Sequence, residues 1–291
     1  MNTVVKLSFM LAGAVAGLIF CGEVLPAAEA PPQGVATAVV VRVVGNHAMV
    51  LGDTVGGAAV TIRDAATGAI LASGTQTGST GDLRSIMQTP HEHIEQIYSV
   101  KGAASFTATL HLTKPTLVEV TGEGPLKFPR VKRRASKTVL LYPGKHVTGD
   151  GIVLVLYGLL VRIESPTPDR PLGIGDGVTV RTTINMMCDC IVEPFGNWDS
   201  RKMELFGEVR NGDTVIGRVE FFHQGPTGLF QGDYTIPRSL KGKDRLTLRV
   251  VASDKEGMNV GYDEITYHLV PWEQSRDATG REIPPIAPPK P

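Results

Sequence analysis

The residues best equipped for chemistry in this sequence are the run Asn185-Met186-Met187-Cys188-Asp189-Cys190. If the run continues a strand that starts at Val178, then Met186, Cys188 and Cys190 face one way and Met187 and Asp189 the other. A stripe of thioether and thiolate sulfur suits Cu(I), which favours soft ligands over oxygen. The imidazole of His223 is a candidate to complete such a metal site. Two plainer readings stand beside it. Cys and Met are among the most often buried side chains, so any core strand shows the same stripe. Alternatively, Cys188 and Cys190 form a disulfide. Positions i and i+2 of an extended strand lie ~6.5–7 Å apart, near the outer limit for a bridge, so the chain must bend there. Burial or a disulfide is the preferred reading, and copper is the alternative. Nothing basic lies close in sequence to lower a thiol pKa, which argues against a reactive redox cysteine.

The other candidates carry less. His91-Glu92-His93 would aim two imidazoles one way on a strand, a common ligand geometry, but it is a single pair, and His111 and His146 add candidates without any spacing rule. Phe195 and Trp198, in Pro194-Phe195-Gly196-Asn197-Trp198-Asp199, sit in a loop where an aromatic ring can meet a sugar or a protein partner or close the mouth of a sandwich. No Gly-x-Ser-x-Gly elbow, His-Glu-x-x-His or phosphate-cradling glycine loop occurs. Gly149-Asp150-Gly151 and Gly175-Asp176-Gly177 read as turn chemistry. No catalytic residue is assigned, and an enzyme is not expected.

Composition narrows the setting for these residues. The 291 residues carry 29 basic and 29 acidic side chains, 33 Gly, 20 Pro and 3 Cys, with 42% hydrophobic content. That is enough apolar surface for a core, and zero net charge argues against a dedicated nucleic-acid binder. Residues 1–30 read as a signal peptide: Lys6, an apolar stretch from Leu7 to Phe20, then Ala28-Glu29-Ala30 before the cut. The stretch is shorter than the ~20 residues of a spanning helix, so the mature chain is expected to have no transmembrane span. A lipid anchor at Cys21 is not expected, because Phe20 occupies the position where lipobox signals take a small residue. Loss of the leader leaves Cys188 and Cys190 as the cysteines of a periplasmic or secreted protein, which must therefore be held by ordinary cores.

Beyond the leader the pattern is period two. Ala36–Val44, Ala59–Asp64 with Ala69–Ser73, Phe106–Thr113 and Thr116–Thr121 read as strands, and Pro90–Val100 as the one short helix. The apolar run Ile152–Ile163 is expected to bend at Gly158 into two buried strands. Met203–Arg210 and Val215–Phe222 form a hairpin turned at Asn211-Gly212. The run Gly57-Ala58-Ala59-Val60-Thr61-Ile62-Arg63-Asp64, then Thr67-Gly68 and Leu71-Ala72-Ser73-Gly74, resembles the hairpin of transthyretin-like (carboxypeptidase-regulatory-like) modules, with Gly81-Asp82-Leu83 standing loosely for their following turn. Phe230-x-Gly232-x-Tyr234-x-Ile236-Pro237 and Leu246-Thr247-Leu248-Arg249-Val250-Val251-Ala252-x-Asp254-x-x-Gly257 resemble the last strands of bacterial immunoglobulin-like domains.

The expected fold is all-β: two tandem immunoglobulin-like or transthyretin-like β-sandwiches after a signal peptide. The expected limits are a signal peptide at 1–30, a first sandwich at 34–125, a basic linker at 126–136, a second sandwich at 137–271 and a Pro-rich tail at 272–291. The linker carries Lys127, Arg130, Lys132, Arg133 and Arg134, a charged edge that discourages aggregation. The expected role is a non-catalytic binding or structural protein contacting a protein or glycan of the cell envelope. No cofactor is expected under that reading, and copper only under its alternative.

Overall fold

A computed structural model describes residues 34–91, 96–225, 227–256 and 258–271. The expected signal peptide and Pro-rich tail lie outside the described residues. Alternation of β-branched and polar residues builds the first sandwich from β1 (Val35–Gly45), β2 (Ala58–Asp64), β3 (Ile70–Gln76), β4 (Phe106–Leu112), β5 (Thr116–Gly124), β6 (Arg133–Leu141) and β7 (Val147–Leu156). One sheet runs β4-β1-β7 and the other β3-β2-β5-β6. β1 pairs antiparallel with β4 and parallel with β7. Its inward Val39, Val41 and Val43 meet Val60, Ile62, Val118 and Val120 of the facing sheet. The sheets pack tightly at Gly122, where a Cβ would stand 2.6 Å from a Val43 methyl carbon and 2.9 Å from one of Leu154.

The basic stretch 126–136 falls inside this sandwich, not between two sandwiches. Gly124 pairs with Arg133, so the stretch is the connection of the β5–β6 hairpin. Val131 is buried and Phe128 packs against the first core. Gly and Pro punctuate turns and linkers alike, and here they mark a turn. The chain enters the second sandwich after β7, through Tyr157 and Gly158, whose φ of +146° only glycine takes readily. Gly158 thus splits the apolar run into two strands.

The second sandwich comprises β8 (Leu159–Ser165), β9 (Leu172–Gly173), β10 (Gly177–Met186), β11 (Val192–Glu193), β12 (Trp198–Asp199), β13 (Met203–Asn211), β14 (Thr214–Glu220), β15 (Phe222–His223), β16 (Leu229–Thr235), β17 (Arg245–Asp254) and β18 (Val260–Val270). Its sheets run β15-β16-β10-β8 and β14-β13-β17-β18-β9, with β11 and β12 paired apart from both. Leu246, Leu248, Val250 and Ala252 point from β17 into the core. Asp254 closes the next turn by accepting from the amides of Met258 (2.9 Å) and Asn259 (3.0 Å). The β13–β14 hairpin forms one residue later than expected: Asn211 pairs with Thr214, leaving Gly212 and Asp213 as its loop. The helix expected at 90–100 falls partly outside the described residues, and its described members are not helical. A short π-helical turn stands just before it, at Arg84–Gln88. Among the described residues no helix is long and apolar enough to cross a membrane.

The two sandwiches share packing. Val44 of β1, with Ala48, Met49 and Val50 after it, joins the second core together with Ile86 and Ala104. Asn259 spans the joint, its Oδ1 accepting from the Gly158 amide (3.1 Å) and its Nδ2 donating to the Asn46 carbonyl (3.4 Å).

Gln76 does comparable work inside the first sandwich. Its amide oxygen accepts from Val43 N (2.7 Å), and its nitrogen donates to the carbonyls of Val43 (2.9 Å) and Leu51 (2.8 Å), all fully buried. Gln76→Leu keeps the volume but orphans the Val43 N–H. It should destabilise the protein by about 2–3 kcal/mol in urea unfolding. A change below ~0.5 kcal/mol would mean that these backbone groups find other partners.

Candidate functional site

Strand β10 stops at Met186, and the sulfur-bearing run becomes a turn. Asp189 adopts φ +64°. Its amide donates to Met186 O (2.8 Å), Met186 N donates to Cys190 O (2.9 Å), and Asn185 Nδ2 donates to Asp189 Oδ1 (2.7 Å). The bend brings the Cα atoms of Cys188 and Cys190 to 5.3 Å, and their sulfurs are bonded to each other. Met186 packs into the second core and its neighbour Met187 into the first. The strand-borne stripe of the copper alternative is not formed, because a left-handed residue ends the extended geometry it needs, and the bonded pair is the disulfide of the preferred reading. A bonded pair offers no thiolate, so Cu(I) ligation here would require prior reduction.

The remaining candidates are dispersed. His223 lies on β15 with its ring edge-on to Phe230, centroids 5.3 Å apart. His91 contacts the Ser85 carbonyl, His146 Nδ1 accepts from Ala38 N (3.1 Å), and His93 lies outside the described residues. Among the described residues no three His, Cys, Asp or Glu side chains gather in a way that could hold a metal.

Past the disulfide turn, the chain forms a loop clamped at its base. β11 and β12 pair in parallel, Val192 with Trp198 and Glu193 with Asp199. Trp198 and Phe195, the two expected partner-binding rings, have opposite fates. Trp198 is only 9% exposed, packs into the second core, and donates its indole N–H to the His47 carbonyl of the first sandwich (2.8 Å). It is a structural key at the joint. Phe195 is 79% exposed and sits at φ +63°, a conformation that is rare for a bulky side chain and costs on the order of 1 kcal/mol.

Three groups hold Phe195 there. The Arg201 guanidinium lies 3.6 Å from the ring centroid, in cation–π contact. Asp199 grips that guanidinium with both oxygens, Nε to Oδ1 at 2.9 Å and Nη2 to Oδ2 at 2.5 Å. The same Oδ1 accepts from the amides of Phe195 (3.2 Å) and Arg201 (3.1 Å). The Arg201 side chain, followed by these amides, holds the Asp199 carboxyl far below the usual carboxylate range, and Asp199 raises the Arg201 pKa in return. Gln88 ties the loop tip to the first half of the chain by donating to Asn197 Oδ1 (3.0 Å).

Beside this loop runs a groove of about 270 Å³, lined by Pro194, Arg201, Phe221, Phe222, His223 and Phe230 among others. Phe222 is 66% exposed, and the His223 Nε2 is buried without a hydrogen-bond partner among the described residues. Asp199, Arg201 and Phe222 were not anticipated from the sequence. The one available signal was the doublet Phe221-Phe222: consecutive aromatics at a strand end must face opposite ways, so one of them meets solvent.

No family model matches this chain, and no curated protein matches it. Solved structures similar to it include the fibronectin(III)-like modules of Clostridium thermocellum CbhA (9% identity, 83% of this chain and 97% of that one, TM-score 0.27). Others are a DUF3823 family protein from Bacteroides ovatus (12%, 80% and 98%, TM-score 0.28) and the titin Ig tandem domains (7%, 83% and 100%, TM-score 0.23). At TM-scores this low the likeness carries no weight, and the architecture stands on the sheets described above. The chain is an all-β protein of tandem sandwiches.

The contrast between the two rings is measurable. Trp198→Ala should cost about 3–5 kcal/mol of stability, as large-to-small core changes do, whereas Phe195→Ala should stay within about 0.5 kcal/mol. Equal losses would show that Phe195 is also core. Asp199 makes a separate, pH-dependent contribution. Its folded pKa is depressed, so that contribution is present above the unfolded value of ~3.9 and is lost as pH falls through the lower folded value. Urea midpoints of Asp199→Asn should therefore decline less steeply below about pH 4 than those of the wild type. Parallel curves would show that the clamp adds nothing to folding.

Proposed function

We propose that this chain is an exported, non-catalytic binding protein whose Phe195 loop and adjoining groove engage an apolar side chain of a protein partner in the cell envelope. The observation that carries the reading is Phe195 itself: a large ring left in water, in a costly backbone conformation, and braced by Arg201 on Asp199. Folding gains nothing from leaving the ring in water, whereas binding gains a pre-ordered anchor that loses little rotamer freedom on contact. Phe222 and the groove extend the apolar surface beside it, and the Arg201 guanidinium supplies a polar rim. One ring face is already covered by Arg201, which favours a protein side chain packing in the groove over a sugar stacked on the ring. Export is supported by the leader-like N-terminus and by the bonded cysteines, since disulfides persist in oxidising compartments.

Placing a photo-crosslinking amino acid at position 195 in the cells that make the protein tests this directly. A discrete protein adduct should form there, be lost with Phe222→Asp, and be absent when the crosslinker is moved to exposed Ile70 of β3. Equal labelling from both positions, or adducts to glycan alone, would refute a protein-binding loop.

A further inference from the structure

At the opposite end of β10, where that strand begins and β18 ends, a cleft of about 690 Å³ opens between Ile174–Gly175 and the loop Arg238–Asp244. This is within the range of small-molecule sites, roughly 300–1,000 Å³. Its walls are pinned by backbone hydrogen bonds. Ile174 N donates to Val270 O (3.0 Å), Gly175 N to Ile236 O (3.0 Å), Lys243 N to Leu240 O (2.9 Å) and Leu269 N to Asp244 O (2.8 Å). Leu240, buried in the second core, anchors the loop from below. Among the described residues the cleft is thus part of the fold.

Its chemistry is two-sided. Ile174, Leu269, Val270 and Pro271 give it an apolar lining, while the exposed Arg238, Lys241 and Lys243 line it with Asp244, the one acidic lining residue among the described residues. Among the described residues these three cations have no ion-pair partner. Elsewhere in the chain Arg201 pairs with Asp199 and Arg249 with Glu264. Unpaired cations beside an apolar lining leave two demands unmet: a negative charge and hydrocarbon.

We infer that this cleft binds an anionic amphiphile, with a phosphate or carboxylate head at Arg238, Lys241 and Lys243 and an acyl or alkyl body along Ile174, Leu269 and Val270. An arginine offers two parallel donors to such a head, and the lysines act as point charges. The apolar lining excludes water from one side and strengthens these charge interactions. This site is separate from the Phe195 loop and does not depend on that loop having a partner. Its ligand could be a membrane lipid or a free amphiphile.

The test is calorimetric titration of the full chain with hexyl phosphate and with inorganic phosphate, alongside co-sedimentation with phosphatidylglycerol vesicles. Hexyl phosphate should bind at least ten-fold more tightly than inorganic phosphate, and more weakly as salt rises. The double variant Lys241→Glu/Lys243→Glu should lose at least ten-fold in affinity while keeping its Tm, since both side chains are exposed. Ile174→Asp should bring hexyl phosphate down to the level of inorganic phosphate. Vesicle binding that hexyl phosphate competes away supports a lipid ligand; hexyl phosphate binding without vesicle binding supports a free amphiphile. No heat with hexyl phosphate, or affinities unchanged by the charge reversal, would overturn the inference.

Discussion

The indole N–H of Trp198 donating to the carbonyl of His47 is the contact on which the architecture turns. It joins the segment after β1, in the first sandwich, to the base of the Phe195 loop, in the second, and it does so inside a shared core that also takes in Met49 and Val50. A buried indole that is both packed and hydrogen-bonded fixes position and orientation together. From that fixed point the chain runs straight into Asp199, whose carboxylate organises Arg201 and the Phe195 amide. A loop that would otherwise be an open connection thereby acquires one conformation, and the two sandwiches acquire a reason to stay in register.

Much of the fold was legible because β-structure writes its burial at period two. The inward valines of β1, the alternation along β17 and the glycine that splits the run between β7 and β8 are all local signals. The basic stretch 126–136 misled because charge and Gly/Pro content describe a hairpin turn as well as a linker; only the pairing of Gly124 with Arg133 tells them apart. For the sulfur run, period two supported the copper stripe, whereas the disulfide reading already required the chain to bend there. Period-two reasoning presumes an extended chain, and a single positive φ at Asp189 cancels the premise. Nothing in the residue types around it demands that conformation.

The candidate site was half legible. Phe195 and Trp198 stand out as rings in a Gly- and Asn-containing loop, but which one is core depends on what the other sandwich brings near. His47 lies 151 positions from Trp198, and no local pattern reports that contact. The same holds for the groove, whose walls come from β10, β13, β15, β16, β17 and the loop itself. The binding proposal rests on distant elements that fix one exposed ring, and the sulfur chemistry next to it serves the turn.

Backbone amide exchange across residues 192–203 tests this central claim most directly. If Trp198 and Asp199 hold the loop as part of the shared core, the Phe195 and Arg201 amides should exchange only through large-scale opening, at rates close to those of β10 and β13. Their exchange at the rate of an unstructured loop, with both strands still protected, would contradict it.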